Sequence, residues 1–201
     1  MDNQNSTKPL LIVISSPSGA GKTSICKRII TIDPKIKISV SATTRTPRDN
    51  EIDGYDYHFI SKNEFEKKIK NQEFAEYAKV FGSYYGSLHK EISTHLDNGN
   101  DVLFDIDWQG TQQLIKSNYS NIMTIFLLPP TKEAIEYRLL KRQEESGDDE
   151  KIVKDRMLEF ETETSHQNEY DHIIVNDDFE KCVQGILEKI CNKRIKIFKK
   201  D

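Results

Sequence analysis

The sequence predicts an α/β fold in which a parallel β-sheet is covered by helices on both faces. Short, almost entirely apolar segments alternate with segments of helical periodicity along the 201 residues, a length that suits one domain. Strands that are apolar on both sides are typical of parallel sheets, because helices bury both faces. A glycine-rich turn also separates the first apolar segment from the first helical one, as in α/β proteins that bind phosphate groups.

Four apolar segments are the predicted strands of that sheet. They are LLIVI (10–14), DVLFDI (101–106), IMTIFLL (122–128) and HIIVN (172–176), with KISVSA (37–42) as a weaker fifth candidate. Each is short, which favours a strand over a buried helix. Because helical segments separate them, we expect these strands to run parallel.

The segments between these strands predict helices, mostly from apolar residues that recur at intervals of three or four. The segments are ICKRIITI (25–32), SKNEFEKKI (61–69), SLHKEISTHLDNG (87–99), TKEAIEYRLLKR (131–142) and residues 178–201. Ser61 and Glu64 form a capping box at the start of the second segment, and Gly99 ends the third. Two prolines precede the fourth segment and mark its beginning.

The composition favours a soluble, cytoplasmic protein without a nucleic-acid or membrane partner. The formal net charge is −4 at pH 7, whereas general nucleic-acid binders usually carry a basic face. The N-terminal residues lack the plan of a secretory signal, and no apolar run approaches the roughly 20 residues that span a bilayer. Cys26, Cys182 and Cys191 have no paired metal-ligand spacing and are interpreted as free thiols. The sequence carries no signal for an oligomeric state.

The stretch SSPSGAGKTS, which follows the first apolar segment, predicts a phosphate-binding loop. It nearly matches the nucleotide-binding pattern G-x-x-x-x-G-K-[ST], with Ser16 in place of the first glycine. Gly19 and Gly21 allow a positive φ, so that backbone N–H groups can surround one anion. Lys22 can reach the β- and γ-phosphates of a nucleotide, and the Thr23 hydroxyl suits Mg²⁺. The residues predicted to bind the triphosphate here are Ser18, Gly19, Ala20, Gly21, Lys22, Thr23 and Ser24.

Two segments interrupt the alternation of strands and helices. Residues 43–60 are too polar for a core unit, and residues 143–151 (QEESGDDEK) are acidic, as expected of an exposed, mobile segment. Within the first, Arg45 and Arg48 flank Pro47, and two guanidinium groups on one stiff turn suit a phosphate dianion. A phosphate-binding loop with two such insertions is the plan of a small kinase with an acceptor-binding region and a lid.

Five motifs make the chain resemble the guanylate kinase family over nearly its whole length. In order, they are SPSGAGKT, SATTRTPRDNEIDGYDYHF, EFAEYAKVFGSYYGS, DIDWQG and IIVND. The resemblance implies a P-loop kinase that uses MgATP to convert GMP to GDP, with ATP and GMP as its small-molecule partners. It also implies one domain made of a core (about 8–40, 97–138 and 157–201), a mixed GMP-binding insertion (about 41–96) and a helical lid (about 139–156).

The resemblance implies a binding site for each part of GMP. Guanine is expected to contact Ser41, Glu76 and Asp107, with Ser87 nearby. Carboxylates accept hydrogen bonds from the N1–H and N2 amino groups of guanine, and the N1 acceptor of adenine would be repelled. The residues expected to bind the phosphate of GMP are Arg45, Arg48, Tyr57 and Tyr85.

The resemblance also implies the residues that bind ATP and carry out the transfer. Asp105, at the end of a buried strand, is expected to organise Mg²⁺ indirectly beside Thr23, and Asn176 is expected to border the base and ribose of ATP. The lid is a few residues longer and more acidic than the usual pattern of the family. The expected catalytic residues are Lys22, Arg45, Asp105 and the lid arginines Arg138, Arg142 and Arg156, which neutralise the transferring phosphoryl group.

Two other functions fit parts of this pattern. A non-catalytic guanylate-kinase-like binding module, of the kind found in membrane scaffolds, would share the fold, but Lys22 and Asp105 are both present. A different P-loop kinase acting on AMP, a pyrimidine nucleotide or another phosphate acceptor would share the loop, but Ser41, Glu76 and Asp107 argue against it. The loop alone fits ATP and GTP equally well as the donor.

Overall fold

The structure, a computed structural model that describes residues 8–146 and 150–199, contains two β-sheets and seven α-helices within those ranges. The strands are β1 (Leu11–Ser15), β2 (Ile36–Ile38), β3 (Ala42–Thr43), β4 (His58–Phe59), β5 (Phe74–Val80), β6 (Ser83–Leu88), β7 (Asp101–Asp105), β8 (Ile122–Leu128) and β9 (His172–Val175). The helices are α1 (Lys22–Ile32), α2 (Lys62–Lys70), α3 (His89–Asp97), α4 (Trp108–Ile115), α5 (Lys132–Ser146), α6 (Glu150–Ser165) and α7 (Phe179–Phe198).

The larger sheet is parallel throughout and has the strand order β2-β7-β1-β8-β9. Successive side chains of its central strand β1 point to opposite faces. Ile12 and Ile14 pack with residues of α1 and α7, whereas Leu11 and Val13 pack with residues of α3 and α4. Helices therefore cover both faces, and the predicted fold class is confirmed.

The smaller sheet is mixed and has the strand order β4-β3-β6-β5. Strands β3 and β4 are parallel, whereas β6 is antiparallel to both β3 and β5. Its core forms against α2, where the Phe65 ring stacks on Phe74 with centroids 4.3 Å apart and on Tyr84 with centroids 5.2 Å apart. All of its strands lie within residues 41–96, the approximate range that the resemblance implies for the GMP-binding insertion.

One local prediction is wrong, and helix α4 was missed. The candidate strand at 37–42 is two strands in different sheets, because β2 ends at Ile38 and β3 begins at Ala42. In the stretch FGSYYGS, most residues belong to strand β6, and only Phe81 and Gly82 turn, both with positive φ. Helix α4 was not predicted, although Asp107 is a typical N-cap residue and accepts a hydrogen bond from the Gly110 N–H.

Helices α5 and α6 flank the acidic stretch 143–151. Helix α5 continues to Ser146 and α6 begins at Glu150, so that both ends of the stretch are helical, while residues 147–149 lie outside the described residues. Ile135 and Leu139 of α5 are buried against Met157 and Phe160 of α6. An apolar contact therefore holds the two helices together at the end nearer the core.

The structure also gives the state of the three cysteines and the character of the helices. Cys26 and Cys182 are buried free thiols, and Cys191 is an exposed one. Within residues 8–146 and 150–199, none of the helices is both long enough and apolar enough to cross a membrane.

A partly buried ion-pair cluster joins the last helix to the end of α1 and to the start of β7. Arg194 of α7 donates from Nε to Asp101 at 2.6 Å and from Nη1 to Asp33, also at 2.6 Å. The Asp101 side chain is only 3% exposed, and its other oxygen accepts the Leu10 N–H at 2.8 Å. Arg194 therefore neutralises a carboxylate that water does not solvate.

Replacing Arg194 with methionine should lower the free energy of unfolding by about 3 kcal/mol, because the buried Asp101 charge loses its partner. Urea denaturation at pH 7 measures this change. The matched control is Arg28→Met, whose partner Glu180 is exposed, and we expect a change within about 0.5 kcal/mol. Equal effects of the two substitutions would contradict the prediction.

Candidate active site

The glycine-rich loop joins the carboxyl end of β1 to the N-terminus of α1. Gly19 and Gly21 have φ angles of 88° and 94°, in the left-handed region that favours glycine. Gly21 is the N-cap residue of α1, so the positive end of that helix faces the loop. Ser16 does not have a positive φ, and the loop therefore does not require the glycine that the nucleotide-binding pattern has there.

Lys22, Thr23 and Asp105 form one hydrogen-bonded cluster at the base of the loop. The Lys22 ammonium lies 2.7 Å from one Asp105 oxygen, and the Thr23 hydroxyl donates to the other oxygen at 2.7 Å. Lys22 also donates to the Ile106 carbonyl at 2.9 Å. Burial alone would lower the pKa of Lys22, but the Asp105 carboxylate raises it above its ordinary value. The ammonium therefore stays charged and is held in place.

Three further residues hold the loop from outside. The Asn176 amide donates to the Ala20 carbonyl at 2.7 Å, and Arg138 donates to the same carbonyl at 3.3 Å. Leu139 lies so close to Gly19 that an added Cβ would come within 3.3 Å of its side chain. Asn176, expected beside the ATP base, and Arg138, expected over the transferring group, thus both contact the loop backbone.

Arg45 and Arg48 are brought together by a carboxylate that the sequence did not single out. Glu51 accepts two bonds from the Arg45 guanidinium, at 2.7 and 2.8 Å, and one from the Arg48 backbone N–H at 2.8 Å. Burial alone would raise the pKa of Glu51, but the two arginines hold it below its usual value. Glu51 therefore gives the arginine pair an anionic partner.

Tyr57 and Tyr85 lie beside Arg45. Their rings meet edge to face with centroids 5.9 Å apart, and the Arg45 guanidinium lies 5.5 Å from the Tyr57 ring centre. Burial, and then the nearby Asp105 carboxylate, raise the pKa of Tyr57 to about 12. The hydroxyl therefore stays protonated and can donate a hydrogen bond to an anion.

Ser41, Glu76 and Ser87 form a buried polar pocket between the smaller sheet and α4. Glu76 is only 3% exposed, and the Ser41 and Ser87 hydroxyl oxygens are 3.5 Å apart. The Oε1 atom of Glu76 is buried without a hydrogen-bond partner within the described residues. Burial raises the pKa of Glu76 to about 7 and the nearby charge of Asp107 adds to the rise, although hydrogen bonding from Ser87 opposes it. An unpaired buried acceptor of this kind indicates a place for a ligand donor.

The start of α4 completes this pocket. A Cβ on Gly110 would overlap the Glu76 carboxylate, which would have to shift away from its observed position. Asp107 accepts the Gly110 N–H at 2.9 Å from one oxygen and the Gln109 side-chain amide at 3.0 Å from the other. Its carboxylate is therefore fixed beside Glu76 by the turn that begins the helix.

The remaining lid arginines are placed differently. Arg156 of α6 lies over the Phe81 ring, 5.6 Å from its centre, at the tip of the β5–β6 hairpin. Arg142 belongs to α5, but its side chain lies outside the described residues. Of the three predicted lid arginines, Arg138 therefore contacts the loop and Arg156 contacts the hairpin.

Ser24, the last residue predicted to bind the triphosphate, is exposed on the first turn of α1.

Sequence reasoning missed two acidic residues of the site. Glu51 holds the arginine pair, and Glu163 of α6 accepts the Ser18 N–H at 3.1 Å. Glu51 lies within the arginine-rich motif, but Glu163 is one acidic residue among several on a helix whose apolar pattern is weak. Its contact joins residues 145 positions apart in the chain, and no local pattern signals it.

Comparison with known proteins agrees with this geometry. A family model described as guanylate kinase matches residues 8–193. The chain is 49% identical over 189 residues to a guanylate kinase of Rickettsia bellii, covering 94% of this chain and 97% of the relative. It is 47% identical over 187 residues to that of Maricaulis maris, covering 93% and 84%. The crystal structure of guanylate kinase from Anaplasma phagocytophilum is similar with a TM-score of 0.77 at 30% identity, covering 94% of this chain and 87% of that one.

Proposed function

Because the chain belongs to the guanylate kinase family, and so transfers the γ-phosphoryl group of ATP to GMP, we propose that two separate groups of residues bind the two substrates. The loop residues and Asp105 bind ATP, and the pocket around Glu76 binds guanine. The observation that carries this proposal is the buried Glu76 oxygen without a partner, since guanine N–H groups supply the donor it lacks.

On the ATP side, we assign the triphosphate to the loop residues from Ser18 to Ser24. Lys22 is aimed by Asp105 and neutralises charge on the β- and γ-phosphates. Asn176 and Arg138 hold the Ala20 carbonyl, which supports a role in keeping the loop N–H groups turned towards the phosphates. Arg142 and Arg156 are assigned to the transferring group as lid residues.

We assign the Thr23 hydroxyl as a ligand of Mg²⁺. Asp105 acts on the ion indirectly, by accepting the hydrogen bond that holds this hydroxyl. Both are oxygen donors of the kind that Mg²⁺ prefers, and the 2.7 Å bond between them supports a shared role. In the described part of the chain, no group of three or more His, Cys, Asp or Glu side chains could hold a metal. Phosphate and water oxygens would complete the coordination, and the bound ion would neutralise the phosphate charge.

On the GMP side, the phosphate is assigned to Arg45, Arg48, Tyr57 and Tyr85. Glu51 holds the Arg45 fork and the Arg48 backbone before GMP arrives, so less side-chain entropy is lost when the dianion binds. Guanine is assigned to Ser41, Glu76, Ser87 and Asp107, whose hydroxyl and carboxylate oxygens can accept its N–H donors.

The assignments also lead to proposals for the regions of the single domain and for the cellular location of the protein. We propose that residues about 41–96 form the GMP-binding region, about 139–156 the lid and the remaining ranges the core, a division supported by the two separate sheets. We also propose a cytoplasmic location, since ATP and GMP are available there and the three cysteines are free thiols.

ADP formation from ATP should depend on GMP and be slower with the other monophosphates. We expect kcat/KM for GMP to exceed that for AMP, CMP or UMP by about 10³-fold, because a wrong base leaves the Glu76 carboxylate unpaired. A coupled assay with each monophosphate measures the ratio, and GTP in place of ATP tests the donor. Equal rates with AMP would contradict the guanine assignment, and no turnover with any acceptor would favour a non-catalytic binding module.

A further inference from the structure

Helix α6 makes a direct hydrogen bond to the phosphate-binding loop. The Oε2 atom of Glu163 accepts the Ser18 backbone N–H at 3.1 Å, just before the first glycine with positive φ. Loop residues Gly19 and Ala20 are contacted from α5 and by Asn176, whereas Ser18 is contacted by α6. The entry of the loop is thus tied to α6, not only to its own strand and helix.

Burying a carboxyl group at this position is costly. Glu163 is only 9% exposed, in a helix whose nearby glutamates Glu159 and Glu161 are both exposed to solvent. Burial raises the pKa of Glu163 to about 7, although the Ser18 N–H bond and Lys22 oppose the rise. An apolar residue would avoid this cost, so the acceptor oxygen is the property that distinguishes Glu163 from a simple packing residue.

The position of Glu163 on α6 relates it to Arg156. The two residues are seven positions apart, so they lie on the same face of the helix, about 10 Å apart along its axis. Glu163 is fixed to the loop at Ser18, whereas Arg156 extends to the tip of the β5–β6 hairpin. A single rigid helix therefore spans the distance between the loop and the hairpin.

We propose that Glu163 is a positioning residue, whose bond to the Ser18 N–H fixes the loop relative to α6 and thereby places Arg156 for the transfer. This proposal rests on the proposed function, in which the loop binds ATP and Arg156 acts on the transferring phosphoryl group. Glu163 works as a hydrogen-bond acceptor, so its charge is not required. Glutamine, which also presents an acceptor oxygen, should replace it.

The experiment compares Glu163→Ala with Glu163→Gln. We expect the alanine variant to lower kcat about 30-fold and to leave KM for GMP within about 2-fold, since the bond it removes lies on the ATP side. The glutamine variant should retain kcat within about 3-fold. The matched control is Glu161→Ala, which removes an exposed ion pair with Lys132 and should not change kcat. Similar losses for alanine and glutamine would overturn the proposed acceptor role.

Two further measurements separate positioning from a general loss of structure. The double variant Arg156→Ala/Glu163→Ala should have a kcat less than about 3-fold below that of the Arg156→Ala single variant, because Glu163 is proposed to act by placing Arg156. Full additivity of the two changes would overturn the proposal. Amide exchange of Ser18, followed by NMR, should be accelerated in the alanine variant but not in the glutamine variant, and unchanged exchange would also overturn it. If the parent protein shows no GMP-dependent turnover, the proposed function fails, whereas the exchange measurement still tests the Glu163 bond.

Discussion

Replacing Lys22 with alanine is expected to lower kcat for phosphoryl transfer by at least about 10³-fold, the scale of effect seen when a charge-stabilising group is removed from a transferring phosphate. The Lys22 ammonium is held by Asp105 at 2.7 Å and by the Ile106 carbonyl at 2.9 Å, so it is fixed before ATP binds. The nearby loop N–H groups cannot substitute for it, because they carry only partial charges.

Steady-state and single-turnover kinetics with ATP and GMP measure this loss. The matched control is Lys62→Ala on α2, whose ammonium is exposed and pairs only weakly with Glu66, so kcat should not change. We expect the fold to persist in the Lys22 variant, since Asp105 keeps its bond from Thr23. A folded Lys22→Ala protein that retains kcat within about tenfold would show that the loop lysine does not stabilise the transferring group.

The sequence predicted the parts of the fold that depend on local pattern. Strand β8, an uninterrupted apolar run, was predicted with its observed bounds, because a run this short and apolar is typical of a strand buried on both faces. The segment 37–42 was predicted as one strand, because nothing in its residues marks the point where the chain leaves one sheet for the other. That change of sheet depends on pairing with β7 and β6, which are distant in the sequence.

In the candidate site, too, residues of local motifs could be predicted, and residues that depend on tertiary packing could not. Lys22, Arg45 and Arg48 could be predicted because their motifs are contiguous, and each motif presents its charge from one turn. Glu163 could not, because its role arises only when α6 packs beside the loop. Glu76 could be predicted as a guanine ligand only through the resemblance, and its strand conformation and burial depend on the hairpin formed by β5 and β6.

Replacing Glu76 with glutamine is expected to stabilise the free protein at pH 8 and to impair it as a kinase. Burial raises the folded-state pKa of Glu76 from 4.5 to about 7. Between these pH values the folded protein holds a proton that the unfolded chain has released, so the stability of the parent falls as the pH rises. The fall totals about 3.5 kcal/mol at about 1.4 kcal/mol per pH unit, and a variant with the neutral glutamine does not show it.

Urea unfolding of parent and variant at pH 5 and pH 8 measures this difference. The free energy of unfolding of the variant, minus that of the parent, should increase by about 2.5 kcal/mol over this range, because part of the total change lies below pH 5. The control is Glu73→Gln, whose carboxylate is solvent-exposed at the start of the same hairpin and should show no such increase. A difference that stays constant with pH would show that Glu76 does not titrate in this range.

The same substitution should lower kcat/KM for GMP by about 10³-fold at pH 8, because the glutamine amide turns a donor towards the guanine N–H groups and leaves donors facing donors. KM for ATP should not change, because ATP is assigned to the cluster of Lys22, Thr23 and Asp105, whose hydrogen bonds do not involve Glu76. Stability and activity are expected to move in opposite directions because the free protein leaves one oxygen of the buried Glu76 carboxylate without a hydrogen-bond partner, whereas bound guanine provides a donor that compensates for its burial. A variant that gained stability and kept its preference for GMP would show that another group reads the base.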